Sequence, residues 1–314
     1  MDITIAAVIV TFNRKELLLK NIEMCFSQQR EIDKIIIIDN HSEDGTRTYI
    51  FNKISKANLD KIDYVYLEKN IGGAGGFAYG VKYAMERTYD YIWLMDDDGY
   101  PFSKMTLQNL VYFLEKQELL KRPVWLNSLV CCNDTDLSFG IFINNHIVSK
   151  RASIDVEFVM DTANPFNGTL LSKELVKAIG LPREDYFIKG DEKEYLSRAQ
   201  KEHIDIYTIC NSLYYHPTPR REKGSFSILG KKIENNVEAG WKEYYNVRNT
   251  CLNNQLYSDS WLYNSVRFYV GRVLKILIYS NKKIETLKLC TIGFAHAILK
   301  KTGIIYLPGN KKAV

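Results

Sequence analysis

The feature that most constrains the fold is the alternation, over the first half of the chain, of apolar strand-like runs with helical patterns. Between the first two runs, Leu18, Ile22 and Cys25 share one face of an expected helix. Such alternation is typical of a mixed, mostly parallel α/β sheet flanked by helices. The strand-like runs span residues 3–11, 34–39, 64–67 and 91–95.

Three of these runs end in a polar or glycine-rich segment. The second is followed by residues 40–46, the third by 70–76 and the fourth by Asp96, Asp97 and Asp98. In open α/β sheets, ligands bind at the carboxyl ends of the strands. The sequence therefore predicts a ligand site at this edge of the sheet.

The second half of the chain predicts a change of architecture. Residues 137–160 indicate an antiparallel ribbon, and we expect residues 185–188 to be short and extended. Arg220–Lys232 is a basic segment with the composition of a loop, and helical patterns run from about residue 237 to 301. These changes predict a catalytic domain at 1–220 and a basic, mainly helical region at 221–314.

The aspartates Asp96, Asp97 and Asp98 are the strongest single chemical signal. Three adjacent carboxylates repel one another, and a divalent cation relieves that repulsion. Hard cations prefer carboxylate oxygen, so Mn²⁺ or Mg²⁺ with a diphosphate is the favoured interpretation. A solvated acidic turn is the alternative.

The glycine loop Gly72-Gly73-Ala74-Gly75-Gly76 follows a strand and opens an expected helix. Backbone amides without Cβ obstruction can approach a phosphate there. The loop is neither GxGxxG nor a P-loop, which disfavours a dinucleotide or NTPase site. A tight strand-to-helix turn explains it equally well.

Two further segments offer functional groups. Asp191 and Glu192 open an expected helix in FIKGDEKEY. A carboxylate there can be a general base, or it can be present only because the helix dipole stabilises acidic residues in the first turn. His216 lies in YYHPTP at the end of an expected strand, and a lone histidine is more often structural than a ligand.

Charge is distributed unevenly along the chain. Residues 261–314 hold ten Lys or Arg and one acid, whereas the preceding 260 residues carry −4. Such a tail is directed at an anionic surface, either a membrane or a nucleic acid, unless it is a solvated appendage or a homo-oligomer contact. No apolar run reaches the roughly 18 uncharged residues that cross a bilayer. The six cysteines lack metal-ligand spacing, so we expect reduced thiols in a cytosolic protein.

Taken together, these segments resemble the inverting glycosyltransferases of family 2. The resemblance implies a GT-A fold, which has a Rossmann-like nucleotide-binding half, here with a helical C-terminal appendage. Within that family, NIGGAGGF with a triple-aspartate motif and FIKGDE is most similar to the galactofuranosyltransferases, which use UDP-galactofuranose, and rhamnosyltransferases come next. The matching segments, in order, are VIVTFNR, IIDNHSEDGT, NIGGAGGF, LMDDDG, FNGTLLS, FIKGDEKEYLSR, HPTP and YYNVRN.

The resemblance implies roles for particular residues. Asp96 and Asp98 hold Mn²⁺ or Mg²⁺ against the donor diphosphate, with Asp97 in the same motif and His216 completing the metal shell. Asp191 is the catalytic base that deprotonates the acceptor hydroxyl. The uridine pocket and the sugar-diphosphate loop are formed by Thr11, Asn13, Arg14, Asp39, Gly72, Gly73, Gly75 and Gly76.

The resemblance also implies partners. The donor is a nucleotide sugar, UDP-galactofuranose or, alternatively, dTDP-rhamnose, and the acceptor is a lipid-linked glycan of bacterial surface polysaccharide synthesis. The basic C-terminal helices then bind the anionic cytoplasmic face of the membrane, which predicts a cytoplasmic, peripherally associated enzyme.

Two other classes compete with this interpretation. Nucleotidyl transfer uses similar groups, but the glycine-rich basic signature expected near the N-terminus is missing from the sequence. A nucleic-acid-binding protein would use the basic tail and bind in a strongly salt-dependent way. That alternative leaves Asp96–Asp98 and Asp191 without a role, and we expect no nucleic-acid partner.

Overall fold

The structure, a computed structural model, describes residues 3–143, 146–218, 222–228, 231–309 and 311–313. The chain divides into two compact units. Unit 1 comprises residues 1–70, 76–182 and 195–218, and unit 2 comprises residues 71–75, 183–194 and 219–314. Residue 220, where the sequence suggests a boundary, lies outside the described residues. The division into 1–220 and 221–314 stays a prediction.

Unit 1 is built on one mixed sheet. Its strands are β1 (Ile5–Thr11), β2 (Lys34–Asp39), β3 (Ile62–Tyr66), β4 (Tyr91–Asp96), β5 (Tyr100–Pro101), β6 (Val124–Cys131), β7 (Asp136–Ile143), β8 (His146–Lys150), β9 (Phe158–Met160), β10 (Asn167–Ser172) and β11 (Asp205–Tyr215). The order is β3-β2-β1-β4-β10-β6-β11-β5, with β7 paired to β6 and β8, and β9 to β11.

The first four strands of the sheet are parallel to one another. Strand β10 then runs antiparallel between β4 and β6, which makes the sheet mixed as the sequence indicates. The helices are α1 (Lys15–Phe26), α2 (Thr46–Lys53), α3 (Lys56–Leu59), α4 (Gly72–Met85), α5 (Thr106–Lys116), α6 (Lys173–Ile179) and α7 (Asp191–Lys201); the first residues of α4 and α7 belong to unit 2.

The core of unit 1 lies on both faces of the sheet. Alternate residues of β1 serve opposite faces: Ile5 and Ile9 join one apolar cluster, whereas Val8 and Val10 join the other. Because every residue of β1 is buried, the strand is apolar throughout, as expected of a central parallel strand. The predicted mostly parallel α/β class is confirmed.

Unit 2 is mainly helical. It contains the hairpin β12 (Glu222–Ile228) and β13 (Lys231–Val237), the helices α8 (Gly240–Tyr257), α9 (Trp261–Tyr279) and α10 (Lys283–Ile298), and the short strands β14 (Tyr306–Leu307) and β15 (Lys311–Lys312). Helix α8 contributes buried Val247, Cys251 and Leu252 to a core shared with Ile276 of α9 and Cys290 of α10. None of the described helices is long and apolar enough to cross a membrane.

Two expectations about local structure are wrong. The segment at residues 185–188 is not extended: Glu184–Tyr186 forms a 3₁₀ turn, and Phe187 has a left-handed φ of 68°. The described part of Arg220–Lys232 belongs to an antiparallel hairpin in which Phe226 pairs with Ile233. A Cβ on Gly224 would lie 1.9 Å from the carbonyl oxygen of Tyr279, so the hairpin packs closely against the end of α9.

Candidate functional site

The middle aspartate of the acidic triplet is a structural anchor at the end of β4. Asp97 is 3% exposed, and its Oδ2 accepts hydrogen bonds from Thr11 Oγ1 at 2.9 Å and from the Phe12 backbone N–H at 3.2 Å. Its Oδ1 accepts from Nη1 of Arg14 at 2.8 Å. Asp97 therefore joins the loop after β1 to the loop after β4, the two strands that lie side by side in the sheet.

The outer two aspartates meet His216, which directly follows β11. One ligand atom from each of Asp96, Asp98 and His216 can be chosen so that all lie within 4.8 Å of one another. Oδ1 of Asp98 lies 3.3 Å from Nε2 of His216, and its Oδ2 lies 2.8 Å from Nη1 of Arg14. Strands β4 and β11 thus bring together residues more than a hundred positions apart.

The other ring nitrogen of His216 determines the orientation of the imidazole. Nδ1 lies 2.7 Å from the carbonyl oxygen of Pro217, which can only accept, so Nδ1 carries the proton and donates it. Nε2 is therefore the nitrogen that faces the carboxylates: protonated, it can donate to Asp98, and in the neutral ring its lone pair would be available to a metal ion. A histidine with its remote N–H bound to a carbonyl is a typical metal ligand.

Burial and charge shift the ionisation of this cluster. Burial raises the pKa of Asp96 above its ordinary value, and repulsion from Asp98 and Asp97 adds to that rise. Burial also opposes ionisation of Asp98, but the hydrogen bond and charge of His216 lower its pKa below the ordinary value. For His216, burial disfavours the cation, yet the contact with Asp98 raises its pKa on balance.

The donor set of this cluster suits a divalent cation. Two carboxylates and one imidazole nitrogen are ligands that Mn²⁺ accepts readily, and Mg²⁺ accepts the oxygens. Within the described residues, this is the cluster of His, Cys, Asp and Glu side chains with metal-ligand spacing. Asp96, Asp98 and His216 are therefore the residues that could hold such an ion.

A second network lies at the ends of β1 and β2. The backbone N–H of Asn13 donates to Ser42 Oγ at 2.8 Å, and Oδ1 of Asn13 accepts from the Glu43 N–H at 2.8 Å. Asp39 is 1% exposed; its Oδ1 accepts from the Ser42 N–H, and its Oδ2 accepts from the hydroxyl of Tyr64. Asp39 thus orders the loop after β2, while Asn13 and Arg14 are exposed at the same edge.

The glycine loop opens α4, and its glycines differ in what surrounds them. Gly72 has φ +78°, and a Cβ there would lie 2.0 Å from the carbonyl oxygen of Phe187, which accepts the N–H of Ala74 at 3.1 Å. A Cβ on Gly76 would lie 2.6 Å from Cγ1 of Val10 in β1. A Cβ on Gly75 would meet Ile71, whereas a Cβ on Gly73 would have no atom of the described residues within 4 Å.

Asp191 begins helix α7 in unit 2 and is 5% exposed. Glu194, one turn later, is 2% exposed and accepts a hydrogen bond from Tyr257 Oη at 2.6 Å. Glu192 is only partly buried and lines a cavity with Lys189 and Gly190. The two adjacent acids of FIKGDE therefore have different environments.

The loop before Asp191 is held by buried polar side chains of α8 that the sequence analysis did not single out. Asn249 Nδ2 lies 2.7 Å from the carbonyl oxygen of Lys189, and Asn253 Nδ2 donates to that of Gly190 at 2.9 Å. Arg248 is fully buried and donates to the carbonyls of Tyr186 at 3.0 Å and Gly303 at 2.7 Å. The segment YYNVRN contains Arg248 and Asn249 and signals these two, because charged and amide groups there stand beside apolar residues.

The structure therefore gathers Thr11, Arg14, Asp96, Asp97, Asp98 and His216 at one edge of the unit 1 sheet, with Asn13 and Asp39 on the neighbouring loops. Gly76 lies in unit 1 as well. Asp191, Gly72, Gly73 and Gly75 belong to unit 2.

Helix α9 carries an apolar stripe that faces solvent. Its exposed residues follow three- and four-residue spacing, so they share one face of the helix. The stripe comprises Leu262, Tyr263, Val266, Val270, Leu274 and Leu277, each at least 42% exposed. Exposed cations at Arg267, Lys282 and Lys283 lie on or just after the same helix.

Comparisons with known proteins agree with this arrangement. Residues 6–120 match the family Glycosyl transferase family 2. The chain is 28% identical over 222 residues to galactofuranosyltransferase GlfT1 of Mycolicibacterium smegmatis. This matched region covers 68% of this chain and 70% of the relative. It is 25% identical over 260 residues to dTDP-rhamnosyl transferase RfbF of Shigella flexneri. This matched region covers 80% of each of the two proteins.

Solved structures add the fold. Mannosyltransferase PcManGT from Pyrobaculum calidifontis, in complex with GDP-Man and Mn²⁺, superposes with a TM-score of 0.55 at 13% identity, over 95% of this chain and 75% of that chain. This likeness confirms the GT-A fold that the sequence resemblance implies. Residues 6–120 thus form a domain of glycosyltransferase family 2, in a chain with a GT-A fold.

Proposed function

We propose that this protein transfers a sugar, with inversion at the anomeric carbon, from a UDP-linked donor to a hydroxyl of a lipid-linked glycan. Galactofuranose is the favoured sugar, because the chain is similar to GlfT1 over 222 residues and carries the segments NIGGAGGF, LMDDDG and FIKGDE. Rhamnose from dTDP-rhamnose is the second candidate, favoured by the similarity to RfbF. Bacterial surface polysaccharide synthesis is the proposed setting.

The observation that carries the proposal is the cluster of Asp96, Asp98 and His216 at the sheet edge where ligands of α/β folds bind. These three residues would hold Mn²⁺ or Mg²⁺. When bound, such an ion offsets the negative charge that develops on the departing nucleoside diphosphate. The Mn²⁺ bound in the complex of PcManGT supports this choice of cofactor.

The surrounding residues would hold the nucleotide. Arg14 is 48% exposed in its side chain and already contacts the acidic triplet, so its guanidinium can also reach a phosphate oxygen. Asn13 and the loop ordered by Asp39 would form the uridine side, with Thr11 fixing their connection to β4 through Asp97. The backbone of Gly72, Gly73, Gly75 and Gly76 would lie beside the sugar and diphosphate.

The acceptor hydroxyl would lose its proton to a carboxylate of the pair Asp191 and Glu192. Asp191 is the proposed base, since the buried carbonyl clamp of Asn249 and Asn253 fixes the backbone directly before it. A single in-line displacement then inverts the anomeric centre. Glu192, the more accessible acid, is the residue against which this assignment has to be tested.

The exposed stripe of α9 supports association with the cytoplasmic face of a membrane. Apolar side chains on one face, flanked by cations in a tail of net charge +9, are the features of an interfacial helix. Each cation near an anionic surface contributes about 1 kcal/mol. A lipid-linked acceptor would be found at that surface.

The decisive experiment is calorimetric titration of the purified protein with UDP and with dTDP, each with and without Mn²⁺. The Asp96→Ala/Asp98→Ala double variant is the control. We expect Mn²⁺-dependent binding that prefers UDP and is lost in the double variant. Preference for dTDP would transfer the proposal to rhamnose, and binding of both nucleotides without any effect of Mn²⁺ would overturn the metal-dependent mechanism.

A further inference from the structure

Unit 2 contains a cavity of about 510 Å³ to which the roles above assign no ligand. Its walls come from the loop and first turn of α7, from α8 and from α9. The residues that line it are Lys189, Gly190, Glu192, Lys193, Asn246, Thr250, Asn254, Asn264 and Phe268. The volume falls within the range of small-ligand sites, about 300–1,000 Å³.

The chemistry of this wall is unlike that of an ordinary apolar pocket. Three carboxamides and one hydroxyl line it, and these groups both donate and accept hydrogen bonds. Asn254 donates to Ser265 Oγ at 3.2 Å and Asn264 to Ser258 Oγ at 2.8 Å, which orients both amides. Among the described residues, the side chains of Asn246 and Thr250 have no hydrogen-bond partner.

The charges in the cavity balance. Lys189 is paired with Glu238 at 2.7 Å, which leaves Lys193 and Glu192 as one cation and one anion without partners among the described residues. A neutral ligand suits such a wall better than a phosphate, which would require an excess of positive charge. The partly buried ring of Phe268 offers one apolar surface among these polar groups.

We infer that this cavity binds a neutral sugar residue of the acceptor glycan. Sugar hydroxyls need groups that donate and accept at once, and the carboxamides of Asn246, Asn254 and Asn264 supply them. The C–H face of a sugar ring packs against Phe268. The inference rests on the proposed function, since Gly190 and Glu192, on either side of Asp191 in the chain, both line the cavity.

The test is saturation-transfer NMR with methyl glycosides, which needs neither donor nor metal. The probes are methyl β-D-galactofuranoside, methyl β-D-galactopyranoside, methyl α-L-rhamnopyranoside and methyl N-acetyl-β-D-glucosaminide. We expect at least one to bind, with the strongest saturation on its ring C–H protons. Phe268→Ala and Asn246→Ala should each weaken that binding at least fivefold. Val270→Ala, on the exposed face of the same helix, should change it less than twofold.

The opposite results are equally definite. Binding that is equal in wild type and Phe268→Ala, or no binding of any glycoside, would overturn the inference. Displacement of a bound glycoside by inorganic pyrophosphate would also overturn it, because the cavity would then be an anion site. Glycoside binding in a protein without metal-dependent nucleotide binding would retain the cavity assignment and refute the proposed function, so the two failures can be told apart.

Discussion

Nε2 of His216 lies 3.3 Å from Oδ1 of Asp98, and the opposite nitrogen of the same ring donates to a backbone carbonyl. The carbonyl contact fixes which nitrogen faces the acidic residues. Arg14 occupies the other oxygen of the same carboxylate at 2.8 Å. Asp98 therefore connects the candidate cation cluster to the loop after β1, which carries Arg14.

Replacement of these ligands should lower Mn²⁺ affinity in a graded way. We expect His216→Ala to weaken Mn²⁺-dependent UDP binding about tenfold and Asp98→Asn to weaken it further, since a charged ligand is lost. Calorimetry measures both, and EDTA should abolish the metal-dependent part. Asp136→Asn, which neutralises a partly exposed carboxylate paired with Lys150, is the control. Undiminished Mn²⁺ affinity in Asp98→Asn would exclude Asp98 as a ligand.

Asp97 should matter for stability more than its neighbours do. Its carboxylate accepts from a hydroxyl, a backbone N–H and a guanidinium, and an amide at this position would direct its NH₂ group towards donors. We expect Asp97→Asn to lower the free energy of unfolding by about 2 kcal/mol. Urea denaturation of wild type and Asp97→Asn measures this loss, with Asp136→Asn as the control variant. Equal stability of the two variants would contradict the anchoring role.

The glycine loop allows a matched comparison of two neighbouring residues. Gly72→Ala places a Cβ against the Phe187 carbonyl at a left-handed φ, a backbone conformation that alone costs about 1–3 kcal/mol. In the part of the chain that the structure describes, the Cβ of Gly73→Ala meets no atom within 4 Å. We expect a large drop in melting temperature for the first variant and little change for the second. A Gly72→Ala protein as stable as wild type would refute the close approach.

Substitutions of the two acids of FIKGDE, Asp191 and Glu192, should affect different kinetic parameters. We expect Asp191→Asn to reduce transfer by roughly 10²–10⁴-fold and leave UDP and Mn²⁺ binding nearly intact. Glu192→Gln, which alters the cavity wall, should chiefly raise the KM for the acceptor. Initial rates over a matrix of donor and acceptor concentrations distinguish these effects. If Glu192→Gln abolishes transfer while Asp191→Asn retains it, the base is Glu192.

The exposed stripe of α9 should determine membrane binding. Val270→Ser/Leu274→Gln removes two exposed apolar side chains, and we expect binding to phosphatidylglycerol-containing vesicles to weaken about tenfold. Raising the NaCl concentration should weaken the wild-type interaction, because the cations contribute to it. Cosedimentation measures both effects. Ile147→Gln, at a strand residue that is 76% exposed, is the control and should bind vesicles as wild type does. An equal loss of binding in Ile147→Gln would refute a specific role of α9 in membrane binding.

The part of the fold that follows from the sequence is the part governed by local patterns. Continuous apolar runs such as β1 and β4 are buried on both faces, so their position in the sheet is predictable, and their carboxyl ends locate the acidic triplet. The hairpin at β12 and β13 is different. Its composition is that of a polar loop, and it forms strands through pairing with itself and close packing at Gly224, neither of which a local pattern reports.

The site shows the same division between local and long-range causes. The residue types at Asp96, Asp98 and His216 indicate a cation site from the sequence, but the different task of Asp97 depends on donors from the loop after β1. The turn at Phe187 is held by Arg248 and Asn249, some sixty residues away. Long-range hydrogen bonds of this kind override the extended preference of an apolar segment and leave no local signal.

Helix α9 has a consequence for how this enzyme can diverge. Asn264 and Phe268 line the cavity, whereas Val266, Val270 and Leu274 form the exposed stripe, so no residue of the helix serves both. Mutations can therefore accumulate on one side of α9 without penalty on the other. On the proposed roles, a lineage could exchange the sugar that its acceptor presents while it keeps its affinity for a lipid surface, because the two properties would depend on interleaved but different positions of the helix.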